Sequence, residues 1–174
     1  MVVPVLSWLF VTTLCVALYR RSIKHHQELN RTGGSRRLQP YTAALLEPFA
    51  QMAAAHVDRF IAAWGKKDIE LIMSFFTPDA VYTNSPIDPP NVGQEMIRKT
   101  IEGFAGMAEA IEFRVHHQGE SPSGVVMNER TDRFKIGGRW VEAGVMGVFE
   151  LEGGKIKAWR DYFDMGQFTK AMTG

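Results

Sequence analysis

The stretch "NERTDRF", residues 128–134, concentrates charged side chains within an apolar part of the sequence. Side chains of a β-strand alternate between two faces, so Arg130 and Asp132 are predicted to share one face. Asp161, in the later stretch "AWRDYFD", shares its predicted face with aromatic residues on either side. A carboxylate on an apolar face needs a partner or a raised pKa, because burying an isolated charge is too costly. Arg130 can pair with both carboxylates, since its guanidinium has donors on two sides.

An arginine between two buried carboxylates has a structural and a catalytic interpretation. Buried ion pairs occur as packing solutions, and their net contribution to stability is often small. Perturbed carboxylates also cluster at functional sites. A third alternative, a sheet face exposed to water, would leave Phe134, Trp159 and Phe163 exposed together, which is unfavourable. The residue pattern alone leaves the structural and catalytic interpretations open.

The elements that must position these residues begin with helices. Apolar residues repeat with a 3.6-residue period after Thr42. Because Pro48 is expected to break or kink this pattern, the main helix is predicted from about Phe49 to Gly65. A short helix with Asp68 as its N-cap is predicted to follow.

A strand and a second amphipathic helix are predicted next. The stretch "AVYTNSP" is typical of a short strand, and it runs into a predicted proline-rich loop, "PIDPPNVG". Beyond that loop, "QEMIRKTIEGFAGM" has the periodicity of a helix with one apolar side. The residues of that apolar side are Met96, Ile97, Ile101 and Phe104.

The rest of the chain has a β pattern. After Ala110, three turn signals separate four strand-like runs, which predicts an antiparallel meander, and the closing "MGQFTKAM" predicts a short helix. Helices followed by a sheet indicate an α+β domain. Long strands with glycines at Gly144 and Gly147 favour a sheet bent around a pocket.

The ordered set "YTN", "NERTD" and "WRDYFD" resembles the limonene-1,2-epoxide hydrolase family. The resemblance extends from about Glu47 to Phe168. It implies the cone-shaped fold shared with nuclear transport factor 2, in which N-terminal helices pack on a strongly curved mixed or antiparallel β-sheet that encloses a pocket. The site residues that it implies are Tyr82, Asn84, Arg130, Asp132 and Asp161.

The resemblance also implies a role for each of these residues. Asp132 would be the general base that removes a proton from a water held by Tyr82 and Asn84. Asp161 would be the general acid that protonates the epoxide oxygen. Arg130 would hold both carboxylates in place. Water would then attack a lipophilic epoxide directly to give a vicinal diol, without a cofactor or metal, in a homodimeric enzyme.

Two other functions remain open. The first is an isomerase or cyclase on the same fold, with one carboxylate as a base, although that reaction has no obvious use for the Arg130 bridge. The second is a non-catalytic domain that binds a lipophilic ligand.

The adjacent His116 and His117 point to opposite faces of a strand, so they cannot bind one metal together. The formal charge of +1 gives no global attraction to nucleic acid.

The N-terminal region is predicted to attach the domain to a membrane. Residues 1–19 carry no charge, residues 20–40 form a basic linker, and residues 41–174 form the domain. An apolar run of this length with basic residues after it favours an uncleaved anchor, and the positive-inside rule then places the domain in the cytosol. A cleaved signal peptide and an exported domain are the alternative. The single cysteine, Cys15, excludes a disulfide within one chain.

Overall fold

The computed structural model of the protein describes residues 40–173, with side chains from Met52 onward. The predicted hydrophobic segment, residues 1–19, and the basic linker up to residue 39 lie outside the described residues. Among residues 40–173, no helix combines the length and the apolar character that a bilayer crossing requires.

The first helix, α1, extends over Pro40–Trp64. The predicted start near Phe49 is wrong, because the helix continues through Pro48. An internal proline costs a helix about 3 kcal/mol. Here the sequence on both sides of Pro48 is rich in Ala and Leu, which are strong helix formers and favour continuation. The C-terminal end lies one residue before the predicted end.

The second helix, α2, covers Ile69–Ser74 and confirms the predicted N-cap. Oδ1 of Asp68 accepts a hydrogen bond of 3.0 Å from the backbone N–H of Leu71. This contact satisfies one of the N–H groups that a helix start leaves without an intrahelical partner.

A six-stranded mixed sheet forms the rest of the domain, together with two further helices. Its strands have the order β2-β1-β6-β5-β4-β3, in which only β1 and β6 pair in parallel. The remaining elements are β1 (Phe76–Ser85), β2 (Ile87–Val92), α3 (Gly93–Met107), β3 (Ala110–Glu120), β4 (Val126–Ile136), β5 (Arg139–Glu152), β6 (Lys155–Phe163) and α4 (Met165–Thr173). The predicted meander of four strands and the short final helix are confirmed.

The predicted proline-rich loop is instead the edge strand β2. Val81 pairs with Val92 and Tyr82 pairs with Asn91. An edge strand accepts Pro89 and Pro90 because its outer backbone groups have no partner strand to which an N–H must be donated.

The core lies between the helices and the inner face of the sheet. Phe60 of α1 is fully buried, and its ring centroid lies 5.0 Å from that of Trp159 and 5.4 Å from that of Phe76. Helix α3 buries Ile97 and Ile101 as predicted, but Met96 is 45% exposed and does not belong to the apolar side that faces the core. The predicted α+β class, with helices on a mixed sheet, is confirmed, and the sheet is not closed.

Strand β4 shows the predicted alternation. The buried residues of the strand are Val126, Asn128, Arg130, Asp132 and Phe134. Glu129 on the opposite face is exposed, and Thr131 and Arg133 are partly exposed. Of the five charged residues of the strand, Arg130 and Asp132 therefore face the core, and Glu129, Arg133 and Lys135 lie on the opposite face.

Candidate active site

Arg130 joins two carboxylates in the interior of the domain. Its Nε donates to Oδ1 of Asp132 at 2.8 Å, and its Nη2 donates to Oδ2 of Asp132 at 3.1 Å. The same Nη2 donates to Oδ2 of Asp161 at 2.7 Å. Arg130 is only 1% exposed, and both carboxylates are buried. The structure therefore brings together the three charged residues that the sequence placed on one face.

The sheet brings Tyr82 and Asn84 to the same region. Strand β1 pairs in parallel with β6, so that Tyr82 lies beside Trp159 and Asn84 beside Asp161. The ring of Tyr82 stacks on that of Trp159 with centroids 3.9 Å apart. Both Tyr82 and Asn84 are buried. The two residues thus approach the carboxylates from the far side of β6, while Asp132 comes from β4.

Four of the five predicted site residues line one pocket. Asp132, Asp161, Tyr82 and Asn84 contribute its polar groups, whereas Arg130 is not part of its lining. The other lining residues are Trp64, Ile87, Phe104, Phe113, Phe134, Ala143, Val145, Trp159, Phe163, Met165 and Phe168. A few converging polar groups in an otherwise apolar pocket are typical of a site for a small lipophilic ligand.

Burial shifts the protonation of the carboxylates. Loss of hydration raises the pKa of Asp132 to about 7, and the charge of Asp161 also raises it, while the Arg130 guanidinium opposes both effects. Burial likewise raises the pKa of Asp161. With both carboxylates ionised, the buried cluster has a net charge of −1, and one proton makes it neutral. The arrangement favours one ionised and one protonated carboxyl near neutral pH, which is what acid–base catalysis requires.

Tyr82 remains a neutral phenol in this environment. Burial and the neighbouring Asp161 raise its pKa well above the ordinary value. Its hydroxyl is therefore able to donate a hydrogen bond at any physiological pH.

Two polar contacts of the site are additions to the sequence-based prediction. The indole Nε1 of Trp159 donates to Oδ1 of Asp161 at 2.7 Å. Arg130 Nη1 donates to Oδ1 of Asn128 at 3.1 Å. Trp159 and Asp161 are two residues apart on β6, and Asn128 and Arg130 are two residues apart on β4, so each pair shares a strand face. This alternation is the only feature of the sequence that indicates either contact. The sequence pattern identifies Trp159 as an aromatic neighbour of Asp161 but does not indicate that it donates a hydrogen bond.

The three histidines among the described residues do not line this pocket. Nε2 of His116 lies 2.8 Å from Oγ1 of Thr131, on the outer face of the sheet. His56 is a half-buried residue of α1, and its ring lies against that of Phe75 at 5.0 Å. Within the part of the chain that the structure describes, no group of three or more His, Cys, Asp or Glu residues is arranged to hold a metal ion.

The chain matches one protein family over most of the described residues. Residues 51–173 match the model of the limonene-1,2-epoxide hydrolase catalytic domain. Among characterised proteins, the epoxide hydrolase EphG of Mycobacterium tuberculosis is 30% identical over 118 residues, which are 67% of this chain and 76% of that protein.

Solved structures show the same fold. A limonene-epoxide-hydrolase-like epoxide hydrolase of M. tuberculosis superposes with a TM-score of 0.61 at 30% identity, covering 70% of this chain and 89% of that one. SalBIII, an epoxide hydrolase/cyclase-like enzyme of pyran ring formation in salinomycin, gives a TM-score of 0.61 at 19% identity over 67% of this chain and 94% of its own. An NTF2-like protein of Burkholderia pseudomallei gives 0.62 at 16% identity, covering 71% and 98% of the two chains. The fold is therefore NTF2-like.

Proposed function

The chain belongs to the limonene-1,2-epoxide hydrolase family, and on that premise we propose that it hydrolyses a lipophilic epoxide to a vicinal diol by direct attack of water. The observation that carries the proposal is the Arg130 bridge between two buried carboxylates at the wall of an apolar pocket. An epoxide needs only a deprotonated nucleophile on one side and a proton on the other, since ring strain supplies much of the driving force. A carboxylate pair that shares one proton meets both needs.

Asp132 is the general base of this mechanism. In its ionised form it takes a proton from a water molecule that Tyr82 and Asn84 hold against the epoxide. The water oxygen forms a bond to one ring carbon as the bond between that carbon and the ring oxygen breaks. Positioning of the water lowers the entropic barrier, and base catalysis typically adds about 10²–10⁴-fold in rate.

Asp161 is the general acid. Its proton passes to the ring oxygen as that oxygen takes the electron pair of the breaking bond. The products are a diol, a protonated Asp132 and an ionised Asp161, so the cluster keeps the same total charge throughout. Arg130 stabilises whichever carboxylate is ionised, because its Nη2 contacts both. No covalent bond to the protein forms.

The pocket supports a lipophilic substrate. Beyond its four polar residues, the lining consists of aromatic and aliphatic side chains. Burial of apolar substrate surface against them is favourable by roughly 25 cal/mol for each Å² removed from water.

Turnover of a panel of epoxides by the wild type, Asp132→Asn and Asp161→Asn tests this function. We expect diol from the wild type and a loss of at least about 100-fold in each variant. Asp79→Asn, at an exposed carboxylate that pairs with Lys157, is the matched control and should retain full activity. Wild-type protein that forms no diol from any epoxide, or variants equal to it, would reject the hydrolase. A cyclic ether from a hydroxy-epoxide would indicate a cyclase, and binding without turnover would indicate a ligand-binding domain.

We further propose a homodimer formed through the outer face of the sheet. The large apolar side chains exposed on this face include Met127 (39%), Met146 (46%) and Tyr162 (47%). Met146 and Tyr162 are direct partners across β5 and β6, which makes part of this apolar surface continuous. Sedimentation of the wild type and of Met146→Lys should give a dimer and a monomer, respectively, and a monomeric wild type would contradict the proposal.

The cellular location is a separate proposal that rests on composition. We propose that residues 1–19 anchor the protein in a membrane and that the catalytic domain faces the cytosol. Membrane fractionation followed by protease protection distinguishes this arrangement from a cleaved and exported domain.

A further inference from the structure

The Nη1 side of the Arg130 guanidinium has its own buried surroundings. Nε and Nη2 serve the two carboxylates, whereas Nη1 donates to Oδ1 of Asn128 at 3.1 Å. Asn128 is 1% exposed, and its Nδ2 donates in turn to Oε1 of Gln118 at 3.3 Å. Gln118 Nε2 donates to Oδ1 of Asp58 on α1 at 2.8 Å. The orientation of the Asn128 amide is therefore tied to a helix outside the sheet.

A glycine lies directly beneath this part of the guanidinium. Strand β5 separates β4 from β6, and its residue Gly147 pairs with Asn128 on one side and with Asp161 on the other. A Cβ at this position would lie 2.2 Å from Nη1 of Arg130, 2.8 Å from Oδ1 of Asn128 and 2.9 Å from Cε2 of Phe149. Nonbonded side-chain atoms do not approach this closely. The Arg130 guanidinium therefore occupies the space above β5 that the Cβ of any other residue at position 147 would need.

The need for glycine at this position is one of space and not of backbone conformation. Gly147 is not among the glycines with positive φ, so its backbone is accessible to other residues. Gly144 provides the contrast within the same strand, because a Cβ there would have no heavy atom within 4 Å. Of these two glycines, only Gly147 lies where neighbouring atoms leave no room for a side chain.

We propose that Asn128 and Gly147 are positioning residues that hold the Arg130 guanidinium where it can bridge Asp132 and Asp161. The inference rests on the proposed hydrolysis for its catalytic consequence, but the bridge itself is a property of the free protein. Displacement of Nη1 by a methyl group at 147, or loss of its acceptor at 128, turns the guanidinium away from the carboxylates. Weaker contact with the Arg130 guanidinium raises the pKa of both Asp132 and Asp161. The two carboxyls are then no longer divided into one ionised base and one protonated acid near neutral pH.

The test compares Asn128→Ala and Gly147→Ala with Gly144→Ala. Carboxyl ¹³C NMR titration of the free proteins reports the protonation of Asp132 and Asp161, and the pH profile of kcat reports its effect on turnover. We expect higher carboxyl pKa values, an upward shift of the acidic limb, and a loss of about 10- to 100-fold in kcat for the first two variants, the range for a hydrogen bond to a charged group. Gly144→Ala should match the wild type, which controls for the general effect of alanine in this strand.

Gly147→Ala and Asn128→Ala disturb the guanidinium in different ways, so one of them still gives an answer if the other does not fold. Gly147→Ala overfills the site, and chemical denaturation shows whether it still folds. Asn128→Ala adds no atoms, so it decides the question if Gly147→Ala does not fold. Folded Asn128→Ala with wild-type carboxyl titration and a wild-type pH profile would overturn the proposal. The titration needs no substrate, so it gives its answer even if the wild type hydrolyses no epoxide and the proposed function fails.

Discussion

Trp159 Nε1 donates a 2.7 Å hydrogen bond to Oδ1 of Asp161, two residues further along the same strand. Arg130 Nη2 occupies the other oxygen, Oδ2, so each oxygen of Asp161 already accepts one hydrogen bond. The carboxyl plane is therefore held in one orientation, with its remaining lone pairs available to a proton. The proposed general acid is positioned by an aromatic residue of the core and by the buried arginine.

Replacement of Trp159 by Phe separates the hydrogen bond from the packing. Phenylalanine keeps an aromatic ring next to Tyr82 and Phe149, but it cannot donate to Asp161. Since the indole N–H lowers the pKa of Asp161, its loss should raise that pKa and move the basic limb of the pH profile of kcat to higher pH. We expect a loss of about tenfold in kcat, consistent with a hydrogen bond to a charged acceptor. An unchanged basic limb would show that the indole does not act on the acid.

The stability of the protein should depend on pH through Asp132. Burial raises its pKa from 3.8 to about 7 in the folded state, so the folded protein binds more protons than the unfolded chain between these values. The free energy of unfolding then falls as pH rises through this window, by up to about 4 kcal/mol from this group. Asp132→Asn cannot ionise and leaves a neutral Arg130–Asp161 pair.

The free energy of unfolding, measured by urea denaturation between pH 4 and 8, checks this expectation. This range spans the rise in the pKa of Asp132 from 3.8 to about 7. Asp132→Asn should lose less stability than the wild type as the pH rises. Asp79→Asn is the control and should match the wild-type slope, because the hydrogen bond from Lys157 lowers the pKa of the exposed Asp79 from 3.8. The stabilisation from that pairing is lost only as the pH falls below the unfolded pKa, outside this range. Equal slopes for the wild type and Asp132→Asn would show that Asp132 is ionised across the whole range.

Removal of Arg130 should cost more than removal of either carboxylate. Arg130→Met leaves Asp132 and Asp161 buried without a cation, and breaking a buried ion pair in this way costs about 3–5 kcal/mol. The deficit should shrink at acidic pH, where both carboxyls become protonated. Adding Asp132→Asn to Arg130→Met should restore part of the lost free energy of unfolding. A deficit that does not vary with pH would point to lost packing in place of lost charge pairing.

The catalytic domain should function without its N-terminal region. The family match begins at residue 51, and the described helices and strands begin at Pro40. We expect a protein lacking residues 1–38 to fold and to keep the wild-type kcat in detergent-free buffer. Circular dichroism and turnover of the same epoxide check this outcome. Loss of folding would show that the N-terminal region packs into the domain.

The buried ion network was accessible from the sequence because a strand alternates with period two. That rule alone places Arg130 with Asp132 and separates them from Glu129. The bridge to Asp161 follows from charge, since an apolar face tolerates a carboxylate only with a partner. The meander was accessible because glycine-containing turn signals separate its strands.

Three other features of the structure were not predicted from the residue pattern of individual segments. The role of Gly147 becomes visible only once the register places it between Asn128 and Asp161. Strand β2 was missed because its prolines indicate a loop unless the strand is known to lie at the sheet edge. The helix across Pro48 is not evident from the local pattern, because the helix propensity of the flanking residues outweighs one breaker. The first two outcomes thus depend on neighbouring strands, and the third depends on the relative strength of opposing local preferences.

A single-turnover reaction in ¹⁸O-water tests the direct attack of water most sharply. With enzyme in excess over epoxide, water activated by Asp132 should place one ¹⁸O atom in each diol formed in the first turnover, and none in the protein. Mass spectrometry of the diol and of the peptide that contains Asp132 measures both. Unlabelled diol together with ¹⁸O in that peptide would mean that a carboxylate attacked the epoxide first, and it would contradict the one-step mechanism.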